Sequence, residues 1–208
     1  PTKASNYNAT FTQLLRKTLY FSEHTFIPFD EEVNYNKHYM ELARLRYGDD
    51  KFQYRITGTE MIPDDLPFPA LFLQPILENA TIHGSPTDEA SMVHIAFRLE
   101  NETVYCIITD NGPGINSKSA KTTDQKRKSM GIQMLRNKAA TLNQLFELEM
   151  EFSTLDLSES TPAGKGTQAS ISFNIHKVVK AQKRQEKIDE QSKSLRFYSK
   201  KPEMHEAD

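Results

Sequence analysis

The chain has 208 residues, with 26 Lys plus Arg against 28 Asp plus Glu, one Cys and no Trp. That length suits one domain, or one domain with an appended arm, and buries roughly 70% of the unfolded surface, so a core forms without disulfides or metal. The lone Cys106 excludes a disulfide framework and Cys-rich zinc sets and fits a reducing compartment, while a formal charge of -2 argues against a general nucleic-acid binder.

From Thr10 to Phe21 the apolar residues Phe11, Leu14, Leu15, Leu19 and Phe21 recur at helical spacing. Ile27-Pro28-Phe29 breaks that helix, and Asp30 is expected to cap the next, with Glu31 and Glu32 in its first turn. Tyr35, Tyr39, Leu42 and Leu45 form one stripe, and Gly48 offers a stop. Phe52 to Thr57 alternates like a strand, and Met61 to Pro69 is turn-rich. A helix is predicted from about Pro69 to His83, with Pro75 near its start or kinking it. Met92–Glu100 and Thr103–Thr109 flank Asn101-Glu102 and predict an antiparallel hairpin. Lys128–Asn143 reads as a helix, and Leu148–Thr154 and Gln168–Ile175 as strands. The mixed order predicts an α+β fold, one sheet with helices packed on one face.

Two stretches lack apolar periodicity. Asn116 to Lys128 holds Lys118, Lys121, Lys126, Arg127 and Lys128 against the single acid Asp124 and is expected to be a loose basic lid. The charged tail from Val178 is expected to leave the domain as a solvated helix. No run approaches the roughly 18 apolar residues of a membrane span; Leu66–Leu77 is short and contains Pro67, Pro69 and Pro75. The start at Pro1, without Met or an apolar leader, reads as a piece of something longer, any membrane anchor lying outside it.

Three motifs occur in a fixed order. On the third helix, within Leu73–Gly84, the apolar residues are expected to face the sheet while Glu78, Asn79 and His83 are polar, and Asn79 and His83 share a face. An Asn amide oxygen is a hard ligand suited to Mg²⁺, and a neighbouring carboxylate can accept a proton. Asp110-Asn111-Gly112-Pro113-Gly114 follows directly on a strand; its glycines permit close backbone approach, and its carboxylate can accept a hydrogen bond from an exocyclic amine such as that of adenine. Gly164-Lys165-Gly166-Thr167 exposes backbone N–H groups and a hydroxyl ahead of the last strand. Taken singly, these are an amphipathic helix and two turns. Their order, with the basic stretch and the helix start at Ser129-Met130-Gly131-Ile132 between the second and third, describes a nucleotide pocket over a sheet. Neither a Gly-x-x-x-x-Gly-Lys-Ser/Thr loop nor the His-Arg-Asp and Asp-Phe-Gly set of protein kinases is present.

At these residues the chain resembles the GHKL ATPase superfamily, and more closely its LytS/YehU-like sensor histidine kinases of bacterial two-component systems. The resemblance runs through Leu14-Leu15-Arg16, Pro28–Glu32, Tyr39–Gly48 and Gln74–Gly84, and covers about Phe11 to Ile175. It implies a GHKL-type ATP-binding sandwich with a mixed, mainly antiparallel sheet plus N-terminal helices. The implied divisions are 1–29 as a remnant of the dimerisation and phosphoacceptor region, 30–177 as the ATPase domain and 178–208 as a tail. It further implies a protein-histidine kinase using ATP and Mg²⁺. Asn79 would hold the metal and Glu78 would be the acid/base or orienting carboxylate. Asp110 would recognise the adenine amine, with Gly112 and Gly114 letting the base approach and Thr167 supporting it. Gly131, Gly164 and Gly166 would frame the phosphates, with Lys128 as a cationic contact. The implied partners are a response regulator and a second copy in the full-length protein, at the cytoplasmic face of a bacterial inner membrane.

The chain departs from that pattern at Ile82, where the family often has a basic residue, and at Gln133, where the lid helix usually has a second glycine. None of the histidines at 24, 38, 83, 94, 176 and 205 has the acceptor context, so the phosphorylated His is expected outside these residues. The competing reading is a nucleotide-binding signalling module with little or no kinase activity.

Overall fold

Period-2 alternation makes a sheet with one dry and one wetter face, and the helical stripes cover the dry one. The computed structural model describes residues 2–83, 90–114, 122–159 and 165–199. Elements follow in the order α1 (Thr2–Ser22), β1 (Phe26–Pro28), α2 (Phe29–Tyr47), β2 (Phe52–Thr57), β3 (Pro67–Pro69), α3 (Gln74–His83), β4 (Ser91–Glu100), β5 (Thr103–Asp110), α4 (Thr122–Phe146), β6 (Glu151–Asp156), β7 (Thr167–Asn174) and α5 (Ile175–Ser199). The main sheet runs β2-β4-β5-β7-β6; β2 and β4 are parallel and every other pair is antiparallel. The α+β expectation therefore holds.

Register puts Phe97 opposite Cys106, Ile108 opposite Ala169 and Phe152 opposite Ile171. Those residues form one core with Phe52, Phe68, Phe72, Leu77, Leu135 and Leu142. Each fully buried Leu or Phe contributes about 1.5–3 kcal/mol relative to exposure. A second, smaller cluster joins Leu14 and Phe21 of α1 to Ile27, Tyr35 and Ala70.

Several boundaries differ from expectation. Asp30 does not cap α2: Pro28 occupies that position without a side-chain cap, and Asp30, Glu31 and Glu32 fall in the first turn. A fixed φ and a missing N–H make proline a natural helix entrance. Gly48 does end the helix, its N–H donating to the Arg44 carbonyl. Pro75 is the second residue of α3, where no intrahelical N–H is needed.

The basic stretch is corrected over half its length. Residues 122–128, expected as lid, are the first turns of α4; 115–121 lie outside the described residues. In α1, only Leu14 and Phe21 of the expected stripe are buried, while Phe11, Leu15 and Leu19 are exposed. The tail is helical, but it begins by packing: Val178 and Ala181 belong to the core before the charged face of α5 turns outward. No helix among the described residues is long and apolar enough to cross a membrane.

Candidate functional site

The end of β5 and the start of β7 build one corner. Asp110 Oδ1 accepts the Gly112 N–H at 2.9 Å and the Thr167 N–H at 3.3 Å, so the second and third motifs meet on one carboxylate. Asn111 fixes the same turn from outside: its Oδ1 accepts the Met92 N–H at 2.7 Å and its Nδ2 donates to the Ala90 carbonyl at 2.9 Å. Two glycines make the approach possible. Gly166, at φ 109°, would place a Cβ 1.8 Å from the Asp110 carbonyl oxygen. Gly114, at φ 85°, would place one 2.6 Å from a carboxylate oxygen of buried Asp156. Both positions exclude larger side chains on backbone and steric grounds.

Asp110, Thr167 and Asn79 line one small cavity together with Ile76, Ile132, Phe152 and Thr154. Its lining combines apolar side chains with a carboxylate, two hydroxyls and an amide, the mixture found at small-molecule sites. Its volume is about 40 Å³, room for a few waters at the roughly 10–15 Å³ each requires. Helix α4 borders it on one side. Gly131 lies against Asn79, a Cβ there reaching 3.4 Å from Nδ2, and Ile132 forms part of the wall.

Glu78 faces a different environment. It is half-buried and outside that lining, and its Oε1 accepts the Gln74 Nε2–H at 2.7 Å. The start of α3 is gripped from two sides. Fully buried Glu32 of α2 accepts the N–H groups of Leu71 at 2.9 Å and Leu73 at 3.1 Å. Lys138 of α4 donates to the Ala70 carbonyl. Burial raises the Glu32 carboxyl above its ordinary range, opposed by those two backbone bonds, and burial lowers the Lys138 ammonium, opposed by nearby Glu32. This clamp sets where Glu78 and Asn79 stand relative to the sheet.

Asn79, Asp110, Gly112, Gly114, Gly131, Gly166 and Thr167 thus cluster around the corner and its cavity. Gly164, and the side chains of Lys128 and His83, lie outside the described residues. Phe152 and Thr154 carry no motif. Their inward alternation on β6 was a signal, but only pairing with β7 brings them to the slot. Glu32 stands in the first turn of α2 as expected, and its role as a buried clamp was not foreseen.

A family model described as Histidine kinase matches residues 1–52. The Sensor protein kinase HptS of Staphylococcus aureus (strain USA300) is 28% identical over 146 residues, covering 67% of this chain and 27% of that protein. The chain spans about a quarter of the length of the curated relatives it matches. Among solved structures, the histidine kinase domain from the Erythrobacter litoralis EL346 blue-light activated histidine kinase aligns with a TM-score of 0.45 and 14% identity, over 76% of this chain and 66% of that one. The catalytic domain of histidine kinase ThkA aligns with a TM-score of 0.47 and 13% identity, over 73% and 97%.

Proposed function

We propose that the chain, similar to histidine kinases over residues 1–52 and to a sensor kinase over 146 residues, is the ATP-binding catalytic domain of a two-component sensor kinase of the LytS/YehU-like type. It would transfer the γ-phosphoryl group of ATP to a histidine outside these residues, for relay to a response regulator. The observation that carries this reading is the convergence of Asn79, Asp110 and Thr167 on one apolar slot.

Asp110 accepts the adenine amine there, Thr167 supports that edge, and Ile76, Ile132 and Phe152 cover the ring faces. The residues also fit a shared cation. Mg²⁺ would take the Asn79 oxygen, a hard ligand, and complete its shell with phosphates and water. When bound, that ion neutralises charge on the phosphates. Gly131, Gly164 and Gly166 would frame those phosphates, and Lys128 at the head of α4 would face them. Glu78 would orient the attacking imidazole or take its proton, because phosphoryl transfer asks mainly for positioning. Pairing of full-length copies and attachment at the cytoplasmic face of a bacterial membrane belong to the same proposal.

Calorimetric titration with Mg-ATP tests the site. Asp110→Asn keeps an oxygen for Gly112 and Thr167 but loses the charge, and should weaken binding roughly 10- to 100-fold, the effect of about 1.5–3 kcal/mol in a charge-assisted hydrogen bond. Equal binding by wild type and variant overturns the purine site. Acid-labile, base-stable phosphate on a histidine of the full-length protein supports the kinase. Nucleotide binding without such label favours the signalling module, the reading that Ile82 and Gln133 motivate.

A further inference from the structure

Glu78 is held by Gln74, and Gln74 is itself held from outside α3. Since a carboxylate only accepts, the Gln74 amide nitrogen must face Glu78, and its oxygen is turned away. That oxygen meets the Tyr35 hydroxyl of α2 at 3.1 Å. The Tyr35 hydroxyl in turn lies 2.9 Å from Thr18 Oγ1 of α1, and Thr18 Oγ1 lies 2.8 Å from the Leu14 carbonyl one turn back. Tyr35 is 1% exposed, so its hydroxyl has no ready exchange with solvent.

The proton count in this chain is short by one. Thr18 and Tyr35 own two hydroxyl protons between them, and three contacts ask for one: Thr18 to Leu14, Thr18 to Tyr35, and Tyr35 to Gln74. In one arrangement Thr18 donates to Tyr35 and Tyr35 donates to Gln74, so the amide is fixed at both ends. In a second Thr18 donates to Leu14, Tyr35 donates to Thr18, and the Gln74 oxygen loses its partner; in a third Thr18 donates to Leu14 and Tyr35 to Gln74, and only the Thr18–Tyr35 contact goes without a proton. Each arrangement makes two hydrogen bonds, of order 1 kcal/mol apiece, so the three lie close together, and the one in which Tyr35 turns its proton to Thr18 of α1 is the one that releases Gln74.

We propose that Gln74 is a positioning residue for Glu78, and that Tyr35 and Thr18 make its grip depend on the state of α1. The proposal rests on the kinase reading, in which Glu78 serves the transfer. Helix α1 then reaches the Glu78 carboxylate through three side chains on three helices without touching the cavity assigned to the nucleotide, whose lining includes none of Thr18, Tyr35 and Gln74.

Two measurements test it. Phosphoryl transfer by the full-length kinase should fall about tenfold in kcat for Tyr35→Phe and Gln74→Met, a fraction of the roughly 10²–10⁴ that an acid–base group supplies, with KM for ATP held within about twofold. Thr18→Val should show a smaller loss in kcat that Thr18→Ser restores. Unchanged kcat in Tyr35→Phe and Gln74→Met overturns the proposal, as does a fall that follows the melting temperature alone. The second measurement is the NMR signal of the Gln74 side-chain amide in this chain, expected to shift in Tyr35→Phe. If the wild type transfers no phosphate, the kinase reading fails. The amide signal still decides the relay, and identical spectra for wild type and Tyr35→Phe overturn it.

Discussion

The sheet corner and the helical layer hold their motif carboxylates by opposite means. Asp110 sits at a strand end and is fastened by backbone N–H groups of Gly112 and Thr167, with glycine contacts that no side chain can replace. Glu78 sits on a helix and is fastened by one side-chain amide whose anchors lie on other helices. Backbone fastening is rigid, because moving it means moving the sheet. Side-chain fastening is adjustable, because a rotamer or a hydroxyl proton can release it. Recognition of a purine needs the first kind, and regulated chemistry profits from the second.

The contrast is broken most severely at Gly166. An alanine there meets both an unfavourable φ, costing about 1–3 kcal/mol, and a backbone oxygen 1.8 Å away. Gly166→Ala should therefore lose about 3 kcal/mol or more in urea unfolding and lose nucleotide binding with it. Full stability would mean that the two motifs are not pressed together as described.

Next in size is the clamp under α3. Glu32→Ala leaves the Leu71 and Leu73 N–H groups buried without an acceptor, at about 1–3 kcal/mol each, whereas Glu32→Gln keeps one acceptor oxygen and should lose less. The two also separate by pH. Because the folded Glu32 value is raised above 4.5, its contribution is complete below that pH and is lost as pH rises through the folded value. Glu32→Gln should flatten that slope in a pH series of unfolding curves; an unchanged slope removes Glu32 as its source.

A smaller effect belongs to Tyr39, one turn beyond Tyr35 on α2, whose hydroxyl lies 3.3 Å from Thr81 Oγ1 of α3. Burial pushes it from 10.0 up to about 12. Its contribution is therefore intact below pH 10 and disappears between 10 and about 12, because the unfolded chain gives up the proton first. Over that window wild type should lose about 2 kcal/mol more than Tyr39→Phe in alkaline unfolding. Parallel curves would mean that Tyr39 is open to water.

Much of the corner was legible because it is made of local chemistry: a strand end, an Asp, and glycines at fixed offsets. The β2 bounds, the Asn101-Glu102 hairpin and the Gly48 stop are local in the same sense. What stayed hidden depends on distance along the chain. Glu32 reaches backbone groups 39 and 41 residues away, so its first-turn position looked like ordinary dipole matching. Phe152 and Thr154 join the slot only through β7. Residues 122–128 looked like a loop because they are charged and lack an apolar stripe, yet Gln, Lys and Arg are good helix formers. Pro28 displaced Asp30 from the cap because a proline already ends the preceding strand.

Gly131 is where the two modes of fastening meet, since it sets α4 against Asn79 beside the cavity. As a helix-interior glycine it costs about 1 kcal/mol relative to alanine, and the space for a Cβ is only just present, 3.4 Å from Asn79 Nδ2. Gly131→Ala should therefore raise the melting temperature slightly. It should also weaken Mg-ATP by roughly threefold, about 0.6 kcal/mol, because the added methyl stands beside the group assigned to the metal. Unaltered affinity would mean that α4 swings wholly clear of Asn79 when nucleotide enters. Loss of binding with a raised melting temperature would mean that α4 stays close and that Asn79 works in the narrow gap seen here.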